Sequence, residues 1–468
     1  MGVAGNPVVY TPNMDRLARE GARFSNMYST TPTCTPARTA LLTGLSPWHH
    51  GMLGYGRIGE GYPVEMPQAM RDAGYYTLGI GKMHWHPQRI LHGFDRTILD
   101  ESSRVETVDF RSDYRSWLMS VAPNVDPDVT GLTFNDYRAR PYKLQEEFHP
   151  TRWMGDTAVN FINTYQDQKP FFLKVSFARP HSPYDPPQRI WDQYNDVSLP
   201  KANVGSWAAD YAPRSDDTPN IWHGDMGAEQ VRTSRQGYYG SVTFVDEQIG
   251  RILEALEKRG ILENTLILYI SDHGDMTGDH NLWRKSYPYE PSAKVPLLVR
   301  WPKGLAPENR GSVYTQPVEI RDVLPTMLDA AGATAPDALD GRSVLSLLRD
   351  PNAKWRDAID LEHDICYDAT NHWSGMTDGK HKFIFHAKSG KEQFFNLAED
   401  PNELRDLAND AGYTQQKSDW RDRLIEHFAE RGAPFVVDGK LGVQPESFLY
   451  SPNWPGCKCH GKNRNIHG

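Results

Sequence analysis

Residues 265–271 read Thr-Leu-Ile-Leu-Tyr-Ile-Ser, five apolar residues in a row (Leu266, Ile267, Leu268, Tyr269, Ile270) with no polar alternation. A strand of this kind has no water-facing side, so it must be covered on both faces, as strands in parallel sheets are. Residues 295–301 repeat the pattern. Residues 170–178 carry it again through Phe171, Phe172, Leu173 and Val175. Between such runs the apolar spacing is helical. Thr11-Pro12-Asn13 opens a helix through Met14, Leu17 and Ala18 that Gly21 stops, and residues 35–43 form another, ended by Gly44. Residues 66–73, 151–165, 236–259 and 321–331 follow the same rule. Residues 22–28 and 75–80 read as strands. Strands alternating with helices predict an α/β three-layer sandwich around a large, mostly parallel central sheet.

The texture changes near Asp350. Short alternating runs at 362–367, 373–377, 381–386 and 393–396, joined by turns such as Asp378-Gly379, precede one polar helix over 415–431. This predicts a small antiparallel sheet with one helix. The expected organisation is therefore a catalytic domain over 1–350, a C-terminal α+β subdomain over 351–431, and a surface-wrapping tail over 432–468. The length, 468 residues, suits one large domain and a smaller one. Residues 95–150 and 186–226 are irregular, as expected of a functional rim.

A net charge of −9 with no Lys/Arg-rich block disfavours a nucleic-acid binder. A mean hydropathy of −0.64, with no apolar run near the roughly 20 residues of a spanning helix, argues against a membrane protein. Four cysteines (Cys34, Cys366, Cys457, Cys459) are too few for a disulfide scaffold. The tail pair Cys457 and Cys459 could join other thiols or a metal; an incidental pair is the commoner reading. The first residues show neither a basic n-region nor an apolar h-region. Location is periplasmic or secreted if a leader lies upstream of Met1, and cytoplasmic otherwise.

Chemistry gathers at the predicted strand ends. Cys34-Thr35-Pro36-Ala37-Arg38 runs into a helix, so Cys34 feels the positive end of the helix dipole. Gly81-Lys82-Met83-His84 follows one strand and sets Lys82 and His84 on one side of an extended segment. Pro180-His181-Ser182-Pro183 follows the next. Ser271-Asp272-His273-Gly274-Asp275 follows the longest apolar run, and Asp272 and His273 there are natural ligands for a divalent cation. Lys285 lies just beyond. Each alone has a bland reading: a buried thiol, a structural histidine, a solvated lysine, a polar turn. Together they bring cationic donors and one metal site to a single rim, which suits sulfate or phosphate.

This combination resembles the type I sulfatases of the alkaline-phosphatase-like superfamily. The carrying pieces are residues 11–18, 34–38, Leu42-Thr43-Gly44, 81–84, 180–183, 271–274 with Gly278-Asp279-His280, Lys285, and the ending Phe394-Phe395-Asn396-Leu397 with Asp400-Pro401 and Glu403. The resemblance implies that a formylglycine-generating maturation enzyme oxidises Cys34 to formylglycine, whose hydrate is the nucleophile. It implies that Arg38 fixes the hydrate, that Lys82 and Lys285 hold sulfate oxygens, and that His84 is the base for elimination. His181 assists the leaving alcohol. Asp272, His273 and the Cys34-derived group bind Ca2+. The implied partner is a sulfated small molecule or glycan, with no nucleic acid and no membrane.

Two departures stand out. Ala37 replaces the family's usual Ser. The acidic metal-ligand pair of the family's first strand has no counterpart, since no Asp or Glu precedes Asp15. The expectation is therefore that Met1 is internal to a longer chain and that this form binds calcium weakly. Three readings remain: a sulfuric ester hydrolase, a phosphonate or phosphodiester hydrolase of the same superfamily, or a non-catalytic anion binder. Lys82 and His84 favour the first.

Overall fold

A computed structural model describes residues 1–105 and 107–456, so Cys457 and Cys459 lie outside the described residues. The expected α/β sandwich is present, with a separate antiparallel sheet towards the C-terminus. In chain order its strands are β1 (Ala22–Phe24), β2 (Tyr76–Gly81), β3 (Arg96–Leu99), β4 (Phe171–Ser176), β5 (Ile267–Ile270), β6 (Leu297–Arg300) and β7 (Ser312–Tyr314). Strand β2 pairs in parallel with β3 on one side and β4 on the other, Gly81 opposing Ser176. The other four run in the order β5-β6-β1-β7, with β6 antiparallel to both neighbours and β1 parallel to β7.

Hydrogen bonding thus divides the central layer into three strands and four. Among the described residues no ladder joins β4 to β5. This corrects one expectation. Residues 265–271 were to be covered on both faces, yet all four residues of β5 are half-buried. Among the described residues one edge of β5 carries no ladder, and an edge strand keeps part of its surface open.

Helices α1 (Pro12–Arg19), α2 (Cys34–Thr43), α3 (Pro150–Thr164) and α4 (Ala228–Lys258) cover the layer. Helix α1 has no side-chain cap of its own. The Asp246 carboxylate of α4 instead accepts from the Asn13 and Met14 amides (3.1 and 2.7 Å), fixing the two helices together. Every residue of α2 is buried, and Gly44 closes it at φ 67, a left-handed conformation that glycine adopts at little cost. Helix α4 begins eight residues before position 236, because residues 228–235 are too polar to show an apolar stripe. Arg235, buried among them, is paired with Asp279 (2.8 Å).

The irregular stretches contain short elements: β3 and a helix at Asp113–Val121 in the first, and Gln188–Asp192 with a 3-10 turn at Ser206–Tyr211 in the second. Strands β8 (Ile359–His363), β9 (Trp373–Thr377), β10 (His381–His386) and β11 (Lys391–Asn396) form the antiparallel sheet in sequence order, and helix α5 (Thr414–His427) buries Trp420 and Leu424 against Phe383 and Phe394. The sheet's other face shares a core with Tyr28, Leu282 and Tyr289 of the sandwich. Lys382, fully buried, reaches across to Glu290 and Glu403 (2.8 Å each). The chain near the C-terminus returns to the sandwich, where the Leu449 carbonyl accepts from the Leu53 amide and the Ser451 amide donates to Gly51.

Candidate active site

The carboxyl ends of β2, β4 and β5 and the start of α2 converge, and Cys34, Arg38, Lys82, His84, His181, Asp272, His273 and Lys285 lie in or against this region. Cys34 is the first residue of α2 and fully buried. Its Sγ is 3.2 Å from His273 Nε2 and accepts from Lys82 Nζ at 3.6 Å. Donor atoms of Cys34, His181 and His273 all lie within 4.8 Å of one another. Lys285 Nζ donates to His181 Nε2 at 2.6 Å, and His181 Nδ1 lies 2.9 Å from the Ser182 carbonyl. These contacts assign His181 a neutral ring with its proton on Nδ1.

Arg38 lies one turn into α2. Its Nε donates to Asp272 Oδ2 (2.8 Å), and its Nη1 donates to the Lys82 carbonyl (2.6 Å) and to Ser176 Oγ (3.0 Å). One guanidinium therefore ties α2 to the ends of β2, β4 and β5. His84 enters from the side: its Nε2 lies 3.2 Å from the Tyr55 hydroxyl, and Tyr55 lines the cavity beside Cys34.

The electrostatics favour an anion at position 34. Burial pushes the Cys34 thiol up, but the charges of Lys285, Lys82 and His273 outweigh it and hold the group well below the usual thiol range. Burial brings Lys82 down to about 7. Burial, then Lys285 and Lys82, keep His181 far below the usual histidine range, in accord with a neutral ring. Asp272 resists burial through Arg38 and His273 and stays ionised.

Several contributors escaped the sequence reading. Glu101, fully buried, accepts from the Met83 and His84 amides (2.8 and 3.0 Å) and so fixes the Lys82–His84 turn, in which His84 sits at φ 62. It lies in the irregular stretch 95–150, where no periodicity marks it. Ser286, beside Lys285, accepts at its carbonyl from Asn371 Nδ2 and Trp373 Nε1 (3.0 Å each), so the C-terminal sheet braces the lysine's loop. Asp279 and His280, part of the motif that carried the resemblance, serve the fold. Asp279 pairs with Arg235, and His280 packs against Trp207.

The donor set bears on the implied calcium. The ion takes about 6–8 oxygen ligands. Around Cys34 the described residues offer one carboxylate oxygen not held by Arg38, Asp272 Oδ1, with two imidazoles and the Cys34 side chain; Asp272 Oδ2 is held by Arg38. That is not a calcium cage.

A family model described as Sulfatase matches residues 1–333. The chain belongs to the sulfatase family. A second model, N-sulphoglucosamine sulphohydrolase C-terminal, matches this sulfatase over residues 278–444. An arylsulfatase of Clostridium perfringens is 38% identical over 458 residues, covering 94% of each chain. A choline-sulfatase of Rhizobium meliloti is 30% identical, covering 86% of this chain and 78% of that protein. Among solved structures, a phosphonate monoester hydrolase of Agrobacterium radiobacter aligns with a TM-score of 0.75 at 24% identity, covering 92% and 93% of the two chains. A structure titled as a complex with its substrate D-glucosamine-2-N,6-O-disulfate aligns at 0.74 and 22%, covering 93% and 96%. These two show the shared fold. The sulfatase is a sulfuric ester hydrolase. No described helix is long and apolar enough to cross a membrane.

Proposed function

We propose that this sulfatase releases sulfate from a sulfated glycan unit, using a formylglycine made from Cys34 by a maturation enzyme. The observation that carries the reading is the seat of Cys34: a dry helix start between Lys82 and His273, with the Lys285–His181 pair alongside. A site that favours a buried anion at this atom suits the hydrated aldehyde, which supplies the nucleophilic hydroxyl when the group is present.

The chain's own residues then have distinct tasks. Lys82 and Lys285 carry the charge that binds sulfate oxygens and stabilises the charge that develops on them. The Lys285 ammonium supplies the proton that the departing alkoxide takes up, and His181, accepting from it at Nε2, holds that donor beside the leaving group. His84, held by Glu101, is the base that takes the proton whose loss expels sulfate and restores the aldehyde. Arg38 is a positioning residue for Lys82 and Asp272, both of which it holds directly. His273 contacts the position 34 side chain, and Asp272 is held beside His273 by Arg38.

A glycan is favoured over a simple aryl ester by the aromatic residues of the cavity wall, Tyr55 and Trp222, of the kind that stacks on sugar rings. Among the relatives is an N-acetylglucosamine-6-O-sulfatase of Bacteroides thetaiotaomicron, 26% identical. The test is a screen of sulfated saccharides, aryl sulfates and aryl phosphonates with the protein matured in cells carrying a formylglycine-generating enzyme. Sulfate release from saccharides is expected. Turnover confined to phosphonates would overturn the reading.

A further inference from the structure

We propose that Arg284 recognises a second anionic group, a sulfate or a carboxylate, borne on the same small ring as the scissile sulfate. The proposal rests on the sulfate-ester reading above and narrows its substrate class.

The cavity beside Cys34 and Lys285 measures about 260 Å³, with Tyr55, Trp222, Arg284 and Tyr367 in its lining. Drug-sized sites run to roughly 300–1,000 Å³. The cavity therefore holds one ring and its substituents, and a second recognised group must sit on that ring.

Arg284 immediately precedes Lys285, yet the sulfate-binding set above does not use it. It is only 4% exposed. Its guanidinium lies over the Tyr367 ring, 3.9 Å from the centroid, and Nη2 donates to the Asn220 carbonyl. Its Nε is buried without a hydrogen-bond partner. Leaving a charged donor dry and unanswered is costly, and such groups call for an explanation in each native structure. Here the explanation is an acceptor that arrives with the substrate. Arginine presents a planar fork of donors, which suits sulfate and carboxylate oxygens. The backbone at Arg284 and Ser286 is at φ 68 and 81, a strained conformation for residues other than glycine. Strain of this kind collects where side chains are held for function.

The one carboxylate in the lining, Asp216, does not supply the missing acceptor. Its Oδ1 accepts from the Thr218 amide (2.7 Å) and hydroxyl (2.5 Å), and its Oδ2 from Ser215 (3.3 Å). An aromatic wall with a nearby acid would otherwise suit an ammonium group. Arg284 already covers Tyr367, and a cation there would face both Arg284 and Lys285 at close range, which a low-dielectric cavity penalises.

The test is calorimetric titration of the Cys34→Ala protein, which binds without turnover. The ligands are monosulfated hexosamines, their disulfated and uronate-bearing counterparts, and choline O-sulfate. At least one doubly anionic ring is expected to bind roughly tenfold or more tighter than its monosulfated parent, and Arg284→Gln should erase that gain. Arg284→Lys keeps the charge without the fork and should recover only part of it; it also serves should the glutamine variant fold poorly. Equal binding of single and double anions, a gain that survives Arg284→Gln, or tightest binding of choline O-sulfate would each overturn the proposal. Sulfate release by the matured Cys34 protein is measured separately. Failure of turnover with the anion preference intact would count against the catalytic reading alone.

Discussion

Arg38 is the residue whose loss the structure sizes most directly. Three of its contacts hold the site together, to Asp272, the Lys82 carbonyl and Ser176. The ion pair is nearly dry, with side-chain exposures of 7% for Arg38 and 18% for Asp272. Arg38→Ala would leave the carboxylate buried and poorly compensated. Breaking a buried pair by removing one partner costs about 3–5 kcal/mol. The residual exposure of Asp272 places the expectation at the low end, near 3 kcal/mol. Asp272 is held down chiefly by Arg38, so its carboxyl should also become less acidic once burial acts with less opposition. Arg38→Lys should recover part of the loss, since an ammonium cannot reach three acceptors in a fork. The assay is urea unfolding of Arg38→Ala, Asp272→Asn and the double variant. Contacting residues couple by roughly 0.5–3 kcal/mol, and this pair should lie in the upper half of that range. An Arg38→Ala protein within about 1 kcal/mol of the parent, or no coupling to Asp272, would refute the reasoning.

Alanine at Lys82, His84, His181 or Lys285 should each lower kcat/KM by roughly 10²-fold or more, the size lost with one preorganised donor; steady-state kinetics on a sulfate ester checks this. His181→Ala should hurt substrates with poor leaving groups more than activated aryl esters, and equal losses for both would remove His181 from that role. Calcium should bind this chain weakly, because Asp272 supplies few of the oxygens it needs and His273 offers only nitrogen; at about 1 mM it should stabilise by less than about 0.5 kcal/mol in a thermal melt. His50, His280, His363 and His372 are buried and held at about 3, 4, 4 and 3, against roughly 6.5 unfolded. They stay neutral in the fold while the unfolded chain takes up protons, so stability is present above pH ~6.5 and falls towards pH ~4, by about 1.4 kcal/mol per pH unit for each histidine. A melting temperature unchanged from pH 7.5 to 5 would contradict this.

The strand ends were legible because apolar runs locate strands and the polar residues that follow them must face the crevice of an α/β sheet. Lys82, His181, Asp272 and His273 are found this way, and Cys34 from its run into a helix start; the structure brings them together. Residues that act through local loop geometry were not legible. Glu101 has no periodic context, and its role appears only once its carboxylate is seen under the Met83 and His84 amides. Arg284 has no sequence signal of its own; its buried, unpartnered Nε and its place in the cavity lining appear only in the structure. The first two turns of α4 lack an apolar stripe because Arg235 there is buried by pairing with Asp279. The half-burial of β5 depends on which edge of the sheet lacks a ladder, and no property of residues 265–271 records that.

The central claim is that position 34, once oxidised, is the nucleophile for sulfate release. The most direct measurement expresses the chain with and without a formylglycine-generating enzyme, then pairs mass spectrometry of the Cys34 peptide with sulfate release from a sulfated saccharide. The account predicts an aldehyde at position 34 in the active preparation, turnover that rises with the aldehyde fraction, and none in Cys34→Ala. Full turnover by Cys34→Ala, or by protein whose Cys34 is entirely unmodified, would contradict it.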